Sequence, residues 1–593
     1  MNSKEFSLVS DSGQPLLERY QACKAMARGY AESKKTDKAR LAHGRAFCAE
    51  VIEAYWVELA MRHSTTMKIK DKPAGLPRLT EDVTRVAQGI GRLIVEFPVE
   101  DAGYLIGSIY TVTLPPALRS EMGAFYTPPP LVARLLDLAE EAGFDFSRGS
   151  AIDPACGGGA FLAPVALRML ARSNGASADW LLRSLGRRVK GVEIDAFAAW
   201  MTRVLLEAAV MPLCVQAKRR LADVVTVADS LQPQDMGAFD LVIGNPPYGR
   251  VKLSDPMRRR YARSLYGHAN LYGLFTDLAL RLAKPKGVVA YLTPTSFLGG
   301  QYFKALRGLI LDEAKPVAFD LVADRHGVFD DVLQETLLTT YAKGKKWAPA
   351  NVSVLVPKGL NAAQVERLGT VDLDVDGAPW ILPRSAEDAS LLRALSKMPT
   401  RLEDLGYAVS TGPLVWNRHK DQLRSRPSSN ALPLIWAEAI TAQGFRFVAD
   451  RRNHVPFIEV KPEQQHLLTS RSCVLVQRTT SKEQDRRLLA AVLPQEFLDK
   501  HGGAVVENHI NMIYSPSGSV TRVYPATICA LLNSDAVDRA FRCISGSVAV
   551  SAYELNAIPL PSFADMRRIE LLVQNGASSA AIDREVAHCY GVR

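Results

Sequence analysis

The stretch Phe239-Asp240-Leu241-Val242-Ile243-Gly244, followed by Asn245-Pro246-Pro247-Tyr248, constrains this chain more than any other. The apolar run reads as a buried strand bounded by Gly and Pro. Two consecutive prolines cannot continue a strand ladder, so they stop the strand in a rigid loop at its carboxyl end. In an open α/β sheet, ligands bind at that end. The loop aims an Asn amide, two carbonyls outside any ladder and an aromatic ring at one place. A planar exocyclic amine suits such a group. Asn245 and the Pro246 carbonyl can accept its two hydrogens, and Tyr248 can cover the ring that carries it.

Three earlier segments repeat the arrangement of an apolar strand closing on a polar residue. Ala151-Ile152-Asp153 ends in an acid and runs through Pro154-Ala155-Cys156-Gly157-Gly158-Gly159 into a helix that extends to Arg172. The glycines allow a tight turn and close approach of a ligand to the backbone. Their spacing is not the dinucleotide Gly-x-Gly-x-x-Gly, and no Lys-Ser/Thr follows as in a P-loop. Val189-Lys190-Gly191-Val192-Glu193-Ile194-Asp195 is the second strand, and its terminal acid is placed to accept from both hydroxyls of a ribose. Asp195 is equally placed to cap the next helix. A third strand closes on Val227-Ala228-Asp229-Ser230, where Asp229 is either a ligand acceptor or a turn residue.

In chain order, these stretches resemble motifs I, II, III and IV of the S-adenosylmethionine-dependent methyltransferases that modify adenine N6 in DNA. Gly123-Ala124-Phe125-Tyr126-Thr127-Pro128, ahead of a helix over 131–142, resembles motif X, where amides at a helix N-terminus can hold a carboxylate. Asn270-Leu271-Tyr272-Gly273-Leu274-Phe275 and the strand 288–292 closed by Thr293-Pro294 resemble motifs V and VI. Gly327-Val328-Phe329-Asp330-Asp331-Val332 with the strand 336–341 resembles motif VIII. The order is that of the gamma-class, Taq-like enzymes of type II restriction-modification systems. One departure is Gly158, where Ser is common in motif I.

The resemblance implies a doubly wound, mostly parallel, Rossmann-like sheet over 119–345. It implies, more loosely, a mixed α+β target-recognition domain over 346–593; residues 1–118 lie outside the resemblance and read as a helical extension from the helical spacing of Leu41, Phe47, Val51, Ile52, Tyr55, Val57 and Leu59. It implies Asn245, Pro246, Pro247, Tyr248 and Phe329 as the residues that take the target base, flipped out of the duplex. Thr127, Asp153, Ala155, Cys156, Gly157, Glu193, Ile194, Asp229, Ser230, Pro247 and Phe275 would hold the cofactor, S-adenosylmethionine. Double-stranded DNA is the expected partner, a separate restriction endonuclease the functional counterpart, and a monomer the expected state. No metal is needed.

Composition agrees with a globular chain: 47% hydrophobic and 23% charged over 593 residues. No apolar run approaches the ~20 residues that span a bilayer, and no signal-peptide pattern opens the chain, so it reads as cytoplasmic. Eight cysteines form no CxxC pair, so neither zinc nor a disulfide framework is indicated. Net charge is +10. Residues 251–300 hold 8 Lys+Arg against 2 Asp+Glu, whereas 351–593 hold 27 against 25. The excess begins just after the Asn-Pro-Pro-Tyr loop, with Arg250 ahead of the 251–300 window and Lys252, Arg258, Arg259, Arg260 and Arg263 within it, and suits a polyanion.

Other readings compete. A fused restriction-modification enzyme needs an acid–acid-x-Lys nuclease; 1–118 lacks one, and Glu459-Val460-Lys461 with Asp450 mimics it only loosely. Cytosine N4 fits the same pocket logic, although Asn rather than Ser opens the loop. A catalytically silent DNA-binding protein would not need Asp153, Glu193, Asp229 and Asn245.

Overall fold

The computed structural model describes residues 15–592 except 123–126, 174, 324–334, 345–347, 359–361, 374–376, 429, 480–484, 518 and 545–548. The packing forms two units, one of residues 1–294, 308–366 and 372–374, the other of 295–307, 367–371 and 375–593.

The first unit is built on a nine-stranded sheet, of whose edge strand over 363–371 it holds only residues 363–366. Its strands are β1 (Ala151–Asp153), β2 (Val189–Glu193), β3 (Val225–Val227), β4 (Phe239–Gly244), β7 (Ala283–Pro294), β8 (Ala314–Val322), β9 (Thr336–Lys343), β10 (Ala350–Pro357) and β11 (Ala363–Val371). Two short strands, β5 (Arg250–Val251) and β6 (Ala269–Asn270), pair apart from it. The order is β11-β10-β8-β9-β7-β4-β1-β2-β3. The run from β3 to β7 is parallel throughout. β9 is antiparallel to both neighbours, and β10 is parallel to β8. The sheet is therefore mixed. β4 reads as a nearly unbroken apolar run because both its faces are covered, as parallel strands require; Leu241, Val242 and Ile243 are fully buried. The order reverses at β1, which has β2 on one side and β4 on the other. That is where a doubly wound sheet opens a crevice at its carboxyl edge.

The expected boundary at 345/346 lies inside this sheet. β10 pairs with β8 from Asn351↔Ala318 to Leu355↔Val322, because Val352 and Leu355 need a sheet to bury them. The boundary at 118 also dissolves. Helices α1 (Leu16–Glu32), α2 (Asp37–Arg62), α3 (Glu81–Ile94) and α4 (Ala102–Thr113) share one core with Phe197, Trp200, Met201, Val204 and Leu205 of helix Ala196–Ala209. That helix is apolar on almost all sides, with 12 of its 14 residues buried, so it needs cover on the face turned away from the sheet. The N-terminal helices supply it. The Trp200 indole donates to Lys70 O at 2.9 Å across the same junction.

In the second unit, strands Ala408–Thr411, Ile510–Tyr514, Cys473–Gln477 and Ala490–Leu493 form an antiparallel sheet in that order. Leu423–Arg424, Phe457–Glu459, Ala431–Ile435, Ala504–Val506 and Leu468–Thr469 form a second one. Helices Pro525–Leu532, Asp535–Ile544 and Phe563–Gln574 share a core with Val474, Val476 and Ile513 of the first sheet. Segment 295–307, expected within the catalytic domain, is tied here by Arg307. This buried guanidinium donates to the carbonyls of Phe297 (2.6 Å), Gly300 (2.8 Å), Gly377 (2.9 Å) and Ala378 (2.7 Å). Among the described residues no single helix is long and apolar enough to cross a membrane.

Candidate active site

One cavity of about 520 Å³ opens at the carboxyl edge of β1, β2 and β4. Thr127, Asp153, Ala155, Cys156, Gly157, Glu193, Ile194, Asp229, Ser230, Asn245, Pro247 and Phe275 all line it. Residues spread over some 150 positions of sequence thus converge on a single space. The reason is the topology: apart from Thr127, which precedes helix Pro129–Glu141, each lies on, or just beyond, a strand end or in the helix that follows.

Asp153 closes β1. It is 2% exposed, and its Oδ1 accepts from Ala155 N at 3.0 Å. Burial pushes its carboxyl up to about 8. The glycine turn then bends back, with Gly157 at φ 51° and Gly159 at φ 86°. A Cβ on Gly157 would meet nothing within 4 Å, on the open side of the turn, whereas one on Gly159 would press on Thr202. Gly157 leaves room for a ligand, and Gly159 leaves room for helix Ala196–Ala209.

Glu193 closes β2. Its Oε2 accepts from Gly157 N and its Oε1 from Asp195 N, both at 2.9 Å. Burial raises its pKa, against the pull of those amides. Asp195 does cap the following helix, accepting from Phe197 N at 3.1 Å. Beside it, Ile194 is 69% exposed at the cavity lining. An apolar side chain left in water at a cavity wall is suited to cover a ligand's flat face. Asp229 takes the turn position and also faces the cavity. It lines the cavity, and its Oδ1 accepts from Leu231 N at 3.0 Å in a turn. The Ser230 hydroxyl donates to Pro154 O at 2.5 Å and ties this turn to the first one. Phe275 is 6% exposed, so it is at once core and cavity wall.

At the end of β4, Asn245 Nδ2 donates to Thr127 Oγ1 at 3.2 Å. The Tyr248 hydroxyl donates to Asn245 Oδ1 at 2.7 Å. Burial holds the Tyr248 phenol far above its ordinary pKa, so it stays a donor at neutral pH. Its ring meets Tyr272 edge-on, with centroids 6.0 Å apart. Pro246 is buried and Tyr248 half-buried. Phe329 lies outside the described residues, as do Gly123 to Tyr126.

Two expectations change. The helix after Thr127 (Pro129–Glu141) has Pro at its first two positions, and the Leu131 and Val132 amides both turn back to Pro128 O, at 3.0 and 3.2 Å. This first turn therefore holds no carboxylate through its amides. The basic cluster after the loop is partly consumed within the fold. Arg263 pairs with buried Asp277 at 2.7 Å and with Glu313, and Arg258 donates to Gly267 O at 2.8 Å. Lys252 and Arg259 remain exposed. Glu459, part of the loose nuclease mimic, pairs with Arg424 at 2.5 Å.

Sequence reasoning missed Tyr110, Gln232, Val251, Leu253, Ser254 and Met257, all of which line the cavity, and read Lys252, which lines it too, only as part of a basic cluster. Tyr110 comes from α4, and no local pattern marks it. The Val251 to Met257 segment directly follows the Asn-Pro-Pro-Tyr loop, so adjacency was a usable signal.

A mixed sheet flanked by helices, with a crevice at its order reversal and acids on successive strand ends, defines a methyltransferase-like fold. Residues 191–329 match the family model described as Eco57I restriction-modification methylase. The Type II methyltransferase M.BsuBI of Bacillus subtilis is 25% identical over 460 residues, covering 76% of this chain and 90% of that protein. M.PstI of Providencia stuartii is 25% identical over 338 residues, 55% of this chain and 65% of its own. Among solved structures, the Type IIL restriction-modification enzyme MmeI in complex with DNA shares the fold, with TM-score 0.50 at 14% identity over 98% of this chain and 92% of that one. In sequence the chain is thus similar to Type II methyltransferases over most of its length.

Proposed function

We propose that this chain is a site-specific DNA methyltransferase that methylates adenine N6 in a particular duplex sequence and so shields DNA from a separate restriction endonuclease. The observation that carries the reading is the placement of Asn245-Pro246-Pro247-Tyr248 at the end of β4, next to the cavity that Asp153, Glu193 and Asp229 line. The relatives named above, Type II methyltransferases, support the class of reaction.

The residues present suit S-adenosylmethionine. The cavity offers an acid with each oxygen already steadied by one amide, Glu193, for vicinal hydroxyls. It offers open space over Gly157 for close backbone approach, and Ile194 and Phe275 as apolar walls for a purine. Asp229 is the acceptor for an adenine amine. Thr127, Asp153, Ala155, Cys156, Ser230 and Pro247 complete the set. When bound, this cofactor supplies an electrophilic methyl group on a cationic sulfur.

The chain's own residues prepare the nucleophile. The lone pair of an adenine amine is delocalised into the ring. Asn245 Oδ1 and the Pro246 carbonyl accept its two hydrogens, favour a pyramidal nitrogen and stabilise the positive charge that develops there. Tyr248 stacks on the extruded base, with Phe329 a second candidate for that role. The second unit reads the sequence, and the protein acts as a cytoplasmic monomer. The test is incubation of purified protein with labelled cofactor and a broad mixture of duplexes, followed by nucleoside analysis. N6-methyl-2′-deoxyadenosine from duplexes sharing one sequence supports the proposal. N4-methyl-2′-deoxycytidine, or no label in DNA, overturns it.

A further inference from the structure

The N-terminal helices reach the cavity through a three-residue junction. Arg45 of α2 donates through Nη2 to Asp195 Oδ1 at 2.9 Å and through Nε to the Tyr110 hydroxyl at 3.2 Å. Tyr110 of α4 donates to Asp195 Oδ2 at 3.3 Å, is 1% exposed, and lines the cavity. Both Asp195 oxygens are therefore engaged, Oδ1 also by the Phe197 amide. The Asp195 side chain is only 9% exposed and that of Arg45 is 27% exposed. Partly shielded, charge-assisted contacts of this kind hold geometry better than surface pairs do. Asp195 then acts through its backbone: its amide donates to Glu193 Oε1. A route of direct contacts runs from α2 and α4 through Asp195 to the carboxylate proposed to receive the cofactor ribose.

We infer that Arg45 and Tyr110 are positioning residues for the cofactor site: by clamping the Asp195 side chain they fix the Asp195 amide, and through it the orientation of the Glu193 carboxylate. The N-terminal segment is thereby part of the cofactor pocket. This rests on the cofactor assignment proposed above. The Tyr110 ring also packs on Phe197, centroids 5.2 Å apart, so Tyr110→Phe removes the hydroxyl while retaining the ring.

The test uses the full chain and calorimetric titration with S-adenosylhomocysteine and with its 2′-deoxyribose form. The wild type binds the ribose form more tightly. Arg45→Met and Tyr110→Phe weaken binding of the ribose form ~10-fold, as for one hydrogen bond to a charged group. They weaken the 2′-deoxy form less, because it lacks one of the two hydroxyls that a displaced Glu193 would lose. The methylation KM for cofactor rises with kcat at saturation retained, and Arg45→Lys recovers part of the affinity. If Arg45→Met does not fold, Tyr110→Phe carries the same comparison. Variants that melt at lower temperature yet keep the wild-type preference for the ribose form overturn the inference, leaving the junction as packing. A wild type that binds neither ligand overturns the cofactor assignment itself, and this inference with it.

Discussion

The Tyr248 hydroxyl donates to Asn245 Oδ1 at 2.7 Å, so the oxygen proposed to accept from the target amine already has one partner. A carbonyl-type oxygen has two lone pairs. The incoming amine therefore shares Oδ1 with the phenol or displaces it. Tyr248→Phe removes this competitor and keeps the ring. Turnover in that variant should stay within about fivefold of wild type, since one neutral hydrogen bond is worth ~1 kcal/mol. Tyr248→Ala should lose the signal of a fluorescent base analogue at the target position. Equal base-analogue signals in the two variants would show that the ring does not stack.

Asn245→Ala should lower kcat by roughly 10²–10³-fold, the cost of removing one acceptor or donor aimed at developing charge. Cofactor binding should stay within about threefold of wild type, because Asn245 is not among the residues proposed to hold the cofactor. Single-turnover transfer and calorimetry separate the two effects. Turnover near that of the wild type removes Asn245 from the chemistry.

Gly244, the last residue of β4, faces Asp153, the last of β1. A Cβ there would sit 2.6 Å from Asp153 Oδ1. Gly244→Ala should cost about 1–3 kcal/mol of stability through overpacking and should weaken cofactor binding by displacing the carboxylate. Thermal melting and titration together check this, and a variant that matches the wild type in both contradicts the close contact.

Burial lifts the Asp153 carboxyl from 3.8 to about 8. Between those values the unfolded chain has released a proton that the folded chain keeps. This group therefore makes stability fall as pH rises across that window, with no further loss above it. The melting temperature of Asp153→Asn minus that of the wild type, without cofactor, should increase with pH from about 4 to about 8 and then level. A difference independent of pH means that Asp153 is ionised in the fold.

Duplex binding should weaken by ~10²-fold or more between about 50 and 200 mM salt if several phosphates are neutralised. Lys252→Ala and Arg259→Ala should each reduce that dependence. Arg263→Ala should instead lower thermal stability, because its guanidinium is held by Asp277 and Glu313. A flat salt response removes a polyanion as substrate.

Local order was legible because it is written locally. The run Phe239 to Gly244 must be a covered strand, two prolines must end it, and a glycine turn after Asp153 must bend sharply. Period, breaker and acid sit within a few residues of one another, so the sequence alone determined that four strand ends carry polar groups; that their loops face the same way follows from the parallel pairing of the strands. What it could not determine is where burial of one element requires another from far away. Helix Ala196–Ala209 is apolar on nearly every side, and only the assembled chain shows that α1–α4 cover it and bring Tyr110 to the cavity. Strand β10 needed the edge of β8, and Arg307 needed carbonyls around 377, so the boundaries moved from where composition changes to where backbone and side chains find partners. Tertiary structure decided these points because hydrogen bonds and apolar cover are satisfied by proximity in space, which local spacing does not encode.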